Sequence, residues 1–130
     1  SALGIGSASS GQYSSSDIYL LAKVIAAEAR GEPYIGQVAV GAVVLNRVQH
    51  ASFPDSIAGV VYQPGAFSCV NDSNWSTEPT AQSRKAAQDA INGWDPSGGA
   101  IYYYNPAKTS NKWIRTRPVI QTIGAHVFCK

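Results

Sequence analysis

The stretch DIYLLAKVIAAEAR, residues 17–30, followed by Gly31, Glu32 and Pro33, decides how this chain begins to fold. Leu21, Val24 and Ile25 recur at spacings of three and four, which predicts an amphipathic helix over 17–30 with Ser16 or Asp17 as its cap. Gly31 is placed to end it, and Pro33 lies just beyond. Glu28 falls seven residues after Leu21 and so extends the apolar stripe. Most acidic residues on such a helix point at water, and this one does not. Burial and the partial negative charge of the helix C-terminus both disfavour the charged carboxylate, the direction an acid needs in order to protonate a leaving group. The alternative is an ion pair with Arg30, Arg47 or Lys85, and periodicity alone favours that structural use. Glu32, four residues on, either shares the site or caps the next helix.

Outward from this stretch, a second helix is expected over 34–48, with Pro33 in its first turn and Val38, Ala42 and Leu45 at helical spacing. Gly36 and Gly41 lower its propensity but allow a neighbouring helix to approach. A helical turn is expected over 54–62, a polar loop over 63–76 and a further helix over 79–92 ending at Gly93. Asp95-Pro96-Ser97-Gly98-Gly99 is a turn signal. Residues 100–105, 114–122 and 125–128 are rich in β-branched and aromatic side chains and read as short strands. Helices first and strands last give an α+β fold: a small, mainly helical domain with a short antiparallel sheet in its C-terminal third.

Composition narrows the function. The 130 residues suit one modest core, with 45% hydrophobic and 14% charged residues. A formal charge of +2 without a Lys/Arg run argues against nucleic acid as a partner. No apolar run is long enough to span a membrane. Residues 1–16 are rich in Ser, Gly and Ala and read as a linker, leaving 17–130 as the functional domain. Cys69 and Cys129 are either bridged or two buried thiols, and their spacing fits no zinc site. No cofactor and no metal are expected.

Several motifs recur together. The run Ala27-Glu28-Ala29-Arg30-Gly31-Glu32-Pro33-Tyr34 is followed by Gly36-Gln37-Val38-Ala39-Val40 and Val44-Leu45-Asn46-Arg47-Val48. Ser52-Phe53-Pro54, Gly65-Ala66-Phe67 and Asn92-Gly93-Trp94-Asp95-Pro96-Ser97 come next, then Tyr102-Tyr103-Tyr104-Asn105-Pro106, Lys112-Trp113 and Arg117-Pro118. The chain closes on Ile123-Gly124-Ala125-His126-Val127-Phe128-Cys129-Lys130. Over residues 17–130 this order resembles the catalytic domain of the spore cortex-lytic enzymes, the SleB/CwlJ type of cell-wall hydrolase. The resemblance implies cleavage of peptidoglycan in the muramic-lactam-bearing spore cortex during germination. It also implies an extracytoplasmic location and an active site like that of lysozyme-related lytic transglycosylases. The family's glutamate falls on Glu28, and an upstream peptidoglycan-binding module is a common companion. Cys69 departs from the residue many relatives carry, so the resemblance implies no disulfide.

Glycoside hydrolysis usually needs two carboxylates. Of the eight acids here, Asp17, Asp55, Asp89 and Asp95 read as caps, turns or solvated helix positions, which leaves Glu32, Asp72 and Glu78 as possible partners for Glu28. A lytic transglycosylase needs only one, because the muramoyl 6-hydroxyl is the nucleophile. A two-carboxylate muramidase stays open beside it, as does a non-catalytic peptidoglycan-binding module. A zinc amidase ranks below these, since only two His are present. For holding sugar rings, aromatic faces and planar polar groups are needed, and Tyr102, Tyr103, Tyr104, Asn105, Trp113 and Arg117 supply them in one region. Strand alternation turns Tyr103 away from Tyr102 and Tyr104, so at least one of the three is core. Arg117 and Asn46 are candidates to orient Glu28 or the substrate's acyl groups, with bonding near its helix end as the alternative for Asn46. Trp75 and Trp94 read as packing residues, and His50 and His126 as structural.

Overall fold

The computed structural model describes residues 13–76 and 78–130. Helix α1 spans Ser15–Glu28 and starts two residues before its expected position. Its cap is Ser14, whose hydroxyl accepts from Asp17 N at 3.2 Å while Asp17 Oδ2 accepts from Ser14 N at 3.1 Å. This reciprocal pair satisfies two end donors, and it makes Asp17 the third residue of the helix, not its cap. Residues 14–16 therefore belong to the helix start, and the remainder of the expected linker, residues 1–12, lies outside the described residues. Gly31, at φ +78°, adopts the left-handed turn that takes the chain out of α1.

Helix α2, Tyr34–Gln49, is the centre of the domain. Val38, Ala39, Val40, Val43 and Val44 are all fully buried, so apolar residues cover most of its circumference, as expected of a helix enclosed by others. It packs against α1 and against α4, Ala81–Ile91. At Gly41 a Cβ would come within 2.9 Å of Ile25 Cδ1 and 3.4 Å of Ala90 Cβ, so the missing side chain is what lets three helices meet. Gly36 differs from the expectation, since the side chains near it are Glu32 and Ile123, not another helix. The turn expected over 54–62 contains the short helix α3, Ile57–Val61, capped by Ser56. The expected polar loop holds two 3₁₀ turns, Ser68–Asn71 and Ser73–Ser76.

The C-terminal third forms a three-stranded antiparallel sheet, in the order β1 (Tyr102–Tyr104), β3 (His126–Cys129), β2 (Val119–Ile123). Residues 114–116, expected as strand, form a 3₁₀ turn instead. Strands β2 and β3 are joined through Gly124 and Ala125, with Gly124 at φ +57° where a two-residue hairpin turn demands it. Tyr103 pairs with Phe128, and the fully buried Phe128 ring joins the sheet to the helical core. Asp95 organises the preceding turn by accepting from Ser97 N at 2.8 Å and Gly99 N at 2.9 Å.

Candidate active site

Glu28 closes the last turn of α1, where the helix reaches the sheet. The Tyr103 hydroxyl on β1 donates to Glu28 Oε1 at 2.6 Å. Burial first, and then the charge of Glu28, push the Tyr103 hydroxyl well above its ordinary pKa, so it remains a proton donor to the carboxylate. The Tyr103 ring is fixed from behind by Phe128 at 5.8 Å and His126 at 5.0 Å between centroids. Cys69 faces the same carboxylate. Its thiol is raised to about 12, chiefly by burial and then by the charge and hydrogen bonding of Glu28. Both cysteines are buried and unbridged. Among the described residues no Lys or Arg forms a salt bridge with Glu28, so the ion-pair alternative is not what the fold builds.

One side of Glu28 is open. A cleft of about 290 Å³ is lined by Glu28, Arg30, Cys69, Asp72, Trp75 and Lys108. Next to it lies an aromatic cleft of about 330 Å³ that includes Phe53, Tyr102, Tyr103, Tyr104 and Trp113. Trp113 is 52% exposed and meets Tyr102 edge-on at 5.4 Å. Tyr103 lines this second cleft while its hydroxyl holds Glu28, so one hydrogen bond links the two clefts. Alternation along β1 turns Tyr102 to Phe53 and Trp113 and Tyr103 to Phe128 and His126, but all three tyrosines are half-buried and line this cleft, so none is the core residue expected.

Four of the expected site residues do other work. Asn46 Nδ2 donates to Asp95 Oδ2 at 3.0 Å and to the Ala100 carbonyl at 2.9 Å, tying α2 to the turn before β1. The Asn105 side chain accepts from Ala107 N at 2.9 Å and shapes its own turn. Arg117 Nε donates to the Lys130 carbonyl at 2.8 Å, and its guanidinium sits 5.3 Å from the Trp113 ring, so it braces an aromatic and does not reach Glu28. Glu32 Oε1 accepts from Ala125 N at 3.0 Å and lies 3.8 Å from His126 Nδ1. It pins the β2–β3 turn to the end of α1, and α2 carries no side-chain cap, contrary to the expected capping role. Its reach toward Glu28 is indirect, through His126 and Tyr103.

Two residues at the site carried other readings. Trp75 lines the Glu28 cleft and is not merely a packing residue in its turn. Arg47 is 8% exposed, donates from Nε to the Ile101 carbonyl at 2.7 Å, and lies over the rings of Phe53, Phe67 and Tyr102. The carbonyl and the aromatic faces offset part of the cost of burying a cation. Its signal was in the sequence: it follows Val40, Val43 and Val44 at helical spacing, so it is a charge on an apolar face, like Glu28.

A small helical domain that presents one glutamate in an open groove flanked by aromatics is suited to acid–base chemistry on an extended polymer. The profile of the family described as Cell Wall Hydrolase matches residues 31–129, and the chain belongs to that family. Glu28 lies just ahead of the matched span. The spore cortex-lytic enzyme of Bacillus cereus is 54% identical over 118 residues, which is 91% of this chain and 46% of that protein. The chain thus spans less than half the length of that relative. Two crystal structures are similar: the catalytic domain of the Bacillus cereus SleB protein, at 54% identity and TM-score 0.86, covering 91% of this chain and 92% of that one; and the catalytic domain of the germination-specific lytic transglycosylase SleB from Bacillus anthracis, at 53% and 0.87, covering 91% and 97%. The expected fold, α+β with a small C-terminal antiparallel sheet, is the one these domains share.

Proposed function

We propose that the chain cuts the glycan strands of spore-cortex peptidoglycan, outside the cytoplasm, as a lytic transglycosylase with Glu28 as its acid and base. The observation that carries this reading is the Glu28 carboxylate, open to one cleft and held by Tyr103, which lines an aromatic one. Protonated Glu28 gives its proton to the glycosidic oxygen as the bond to the anomeric carbon breaks, with positive charge developing on that carbon and the ring oxygen. The Glu28 carboxylate then takes the proton from the muramoyl 6-hydroxyl, whose oxygen bonds to the same anomeric carbon. Glu28 ends protonated, a 1,6-anhydro sugar is formed, and no water is consumed. Because the nucleophile belongs to the substrate, its proximity is built in. Tyr103 fixes the carboxylate through both steps, and the aromatic cleft offers ring faces to the sugars.

One observation favours a second reading. Asp72 lines the same cleft as Glu28, whereas Glu32 is turned to Ala125 and Glu78 accepts from Tyr19 at 2.7 Å. Asp72 is therefore the second carboxylate that a muramidase mechanism would use. Paired variants separate the two: Glu28→Gln abolishes turbidity loss from cortex fragments under both, while Asp72→Asn abolishes it only under the second. A non-catalytic module would give no turbidity loss with the unaltered protein.

A further inference from the structure

A further cleft, of about 170 Å³, shares Ala27, Arg30 and Trp75 with the one that holds Glu28. Trp75 and Arg30 line both, so a chain bound across the two clefts passes them. We propose that Lys23 and Arg30, which line this further cleft with Trp75, form a subsite for the carboxylates of a peptidoglycan stem peptide carried beside the bond that is cut. This rests on the glycan-cutting reading above and adds a specificity to it.

Lys23, Ala26 and Ala27 share one face of α1 at i, i+3 and i+4, and Arg30 follows two residues past the helix end; all four line the further cleft. The two alanines add little bulk to that wall. Lys23 Nζ is held 4.3 Å from the Trp75 ring centroid, which fixes one cation in the cleft. Among the described residues neither Lys23 nor Arg30 forms a salt bridge. The acid nearest in that cleft, Glu78, is already engaged by Tyr19 at 2.7 Å and Arg84 at 3.3 Å. Glu28 and Asp72 line the adjoining cleft with Arg30, but neither Lys23 nor Arg30 is tied up in a salt bridge among the described residues, so both can receive an anion from outside. In peptidoglycan the stem peptide supplies carboxylates, whereas a muramoyl unit closed into a lactam has lost both the stem and the charge. The subsite therefore reads whether a stem is present next to the cut.

The test compares cleavage of stem-bearing glycan strands with the same strands stripped of peptide by an amidase. Lys23→Ala, which alters the further cleft and not the one that holds Glu28, is expected to lower kcat/KM on stem-bearing strands about tenfold, the loss of one charge-assisted contact, and to leave stripped strands within about twofold. Arg30→Ala also lowers it on stem-bearing strands, and Arg30→Lys restores part of that loss. Equal loss on both polymers, or none on either, overturns the subsite. A second readout needs no catalysis: titrating a free stem tetrapeptide shifts the Trp75 indole N–H resonance in the unaltered protein and fails to do so in Arg30→Ala. No shift in the unaltered protein also overturns the subsite. If neither polymer is cut while the peptide still binds, the glycan-cutting reading fails and the subsite stands.

Discussion

Replacing Tyr103 with Phe removes one oxygen and little else. The hydroxyl sits 2.6 Å from Glu28 Oε1, and the ring remains packed between Phe128 at 5.8 Å and His126 at 5.0 Å. A hydrogen bond to a charged group contributes about 1.5–3 kcal/mol. If that bond holds Glu28 in the geometry needed for proton transfer, its loss falls on the chemical step, and kcat drops by about ten- to a hundredfold. The ring that lines the aromatic cleft is kept, so KM changes little. Stability is affected weakly, because Glu28 borders an open cleft where water can replace the lost donor. The assay is the initial rate of turbidity loss from cortex fragments over a range of substrate concentrations, with thermal unfolding as a control for folding. A Tyr103→Phe protein that unfolds like the parent and keeps kcat within about twofold would refute the positioning role. A raised KM at unchanged kcat would make Tyr103 a sugar-binding residue instead.

The remaining expectations concern the groove and the frame behind it. Trp113→Ala removes an exposed ring from the aromatic cleft and should raise KM about three- to tenfold, an aromatic contact of about 1 kcal/mol, while a fall in kcat alone would contradict a binding role. His126, 7% exposed, has its pKa lowered from 6.5, first by burial and against the opposing charge of Glu32. Above 6.5 neither folded nor unfolded chain carries this proton; below it the unfolded chain binds it first, so stability falls as pH drops through that value toward the lower folded pKa. His126→Gln should therefore flatten the loss of Tm on acidification from about pH 7.5 to about pH 5, and an unchanged slope would count against it. Gly124→Ala puts a side chain at φ +57° and drives its Cβ into the Glu32 carboxylate. A cost of about 1–3 kcal/mol and a lower Tm should follow; an unchanged Tm would show that Glu32 does not pin the hairpin.

What the sequence reveals of this domain depends on how local the cause is. The stripe Leu21, Val24, Ile25 and Glu28 is a property of one helix, and both the helix and the misplaced carboxylate are readable from it. Gly41 could be read as a close-approach point because a glycine inside a buried helix has few other uses. Tyr103 could be separated from Tyr102 and Tyr104 by strand alternation alone. The partners of Asn46, Asn105 and Arg117 were not legible, because polar side chains take those that tertiary structure offers. Asn46 finds Asp95, forty-nine residues away, and Arg117 finds the carbonyl of Lys130. Trp75 and Asp72 reach the cleft through 3₁₀ turns, which leave no periodic trace. Arg47 was legible by the same criterion as Glu28.

The account stands or falls on what Glu28 does to the glycan. Mass spectrometry of the fragments released from cortex peptidoglycan reports bond, chemistry and dependence on Glu28 together. The prediction is 1,6-anhydro-muramoyl ends from the unaltered chain, with no incorporation of oxygen from labelled water, and no fragments from Glu28→Gln. Labelled reducing ends, or fragments released by Glu28→Gln, would contradict it.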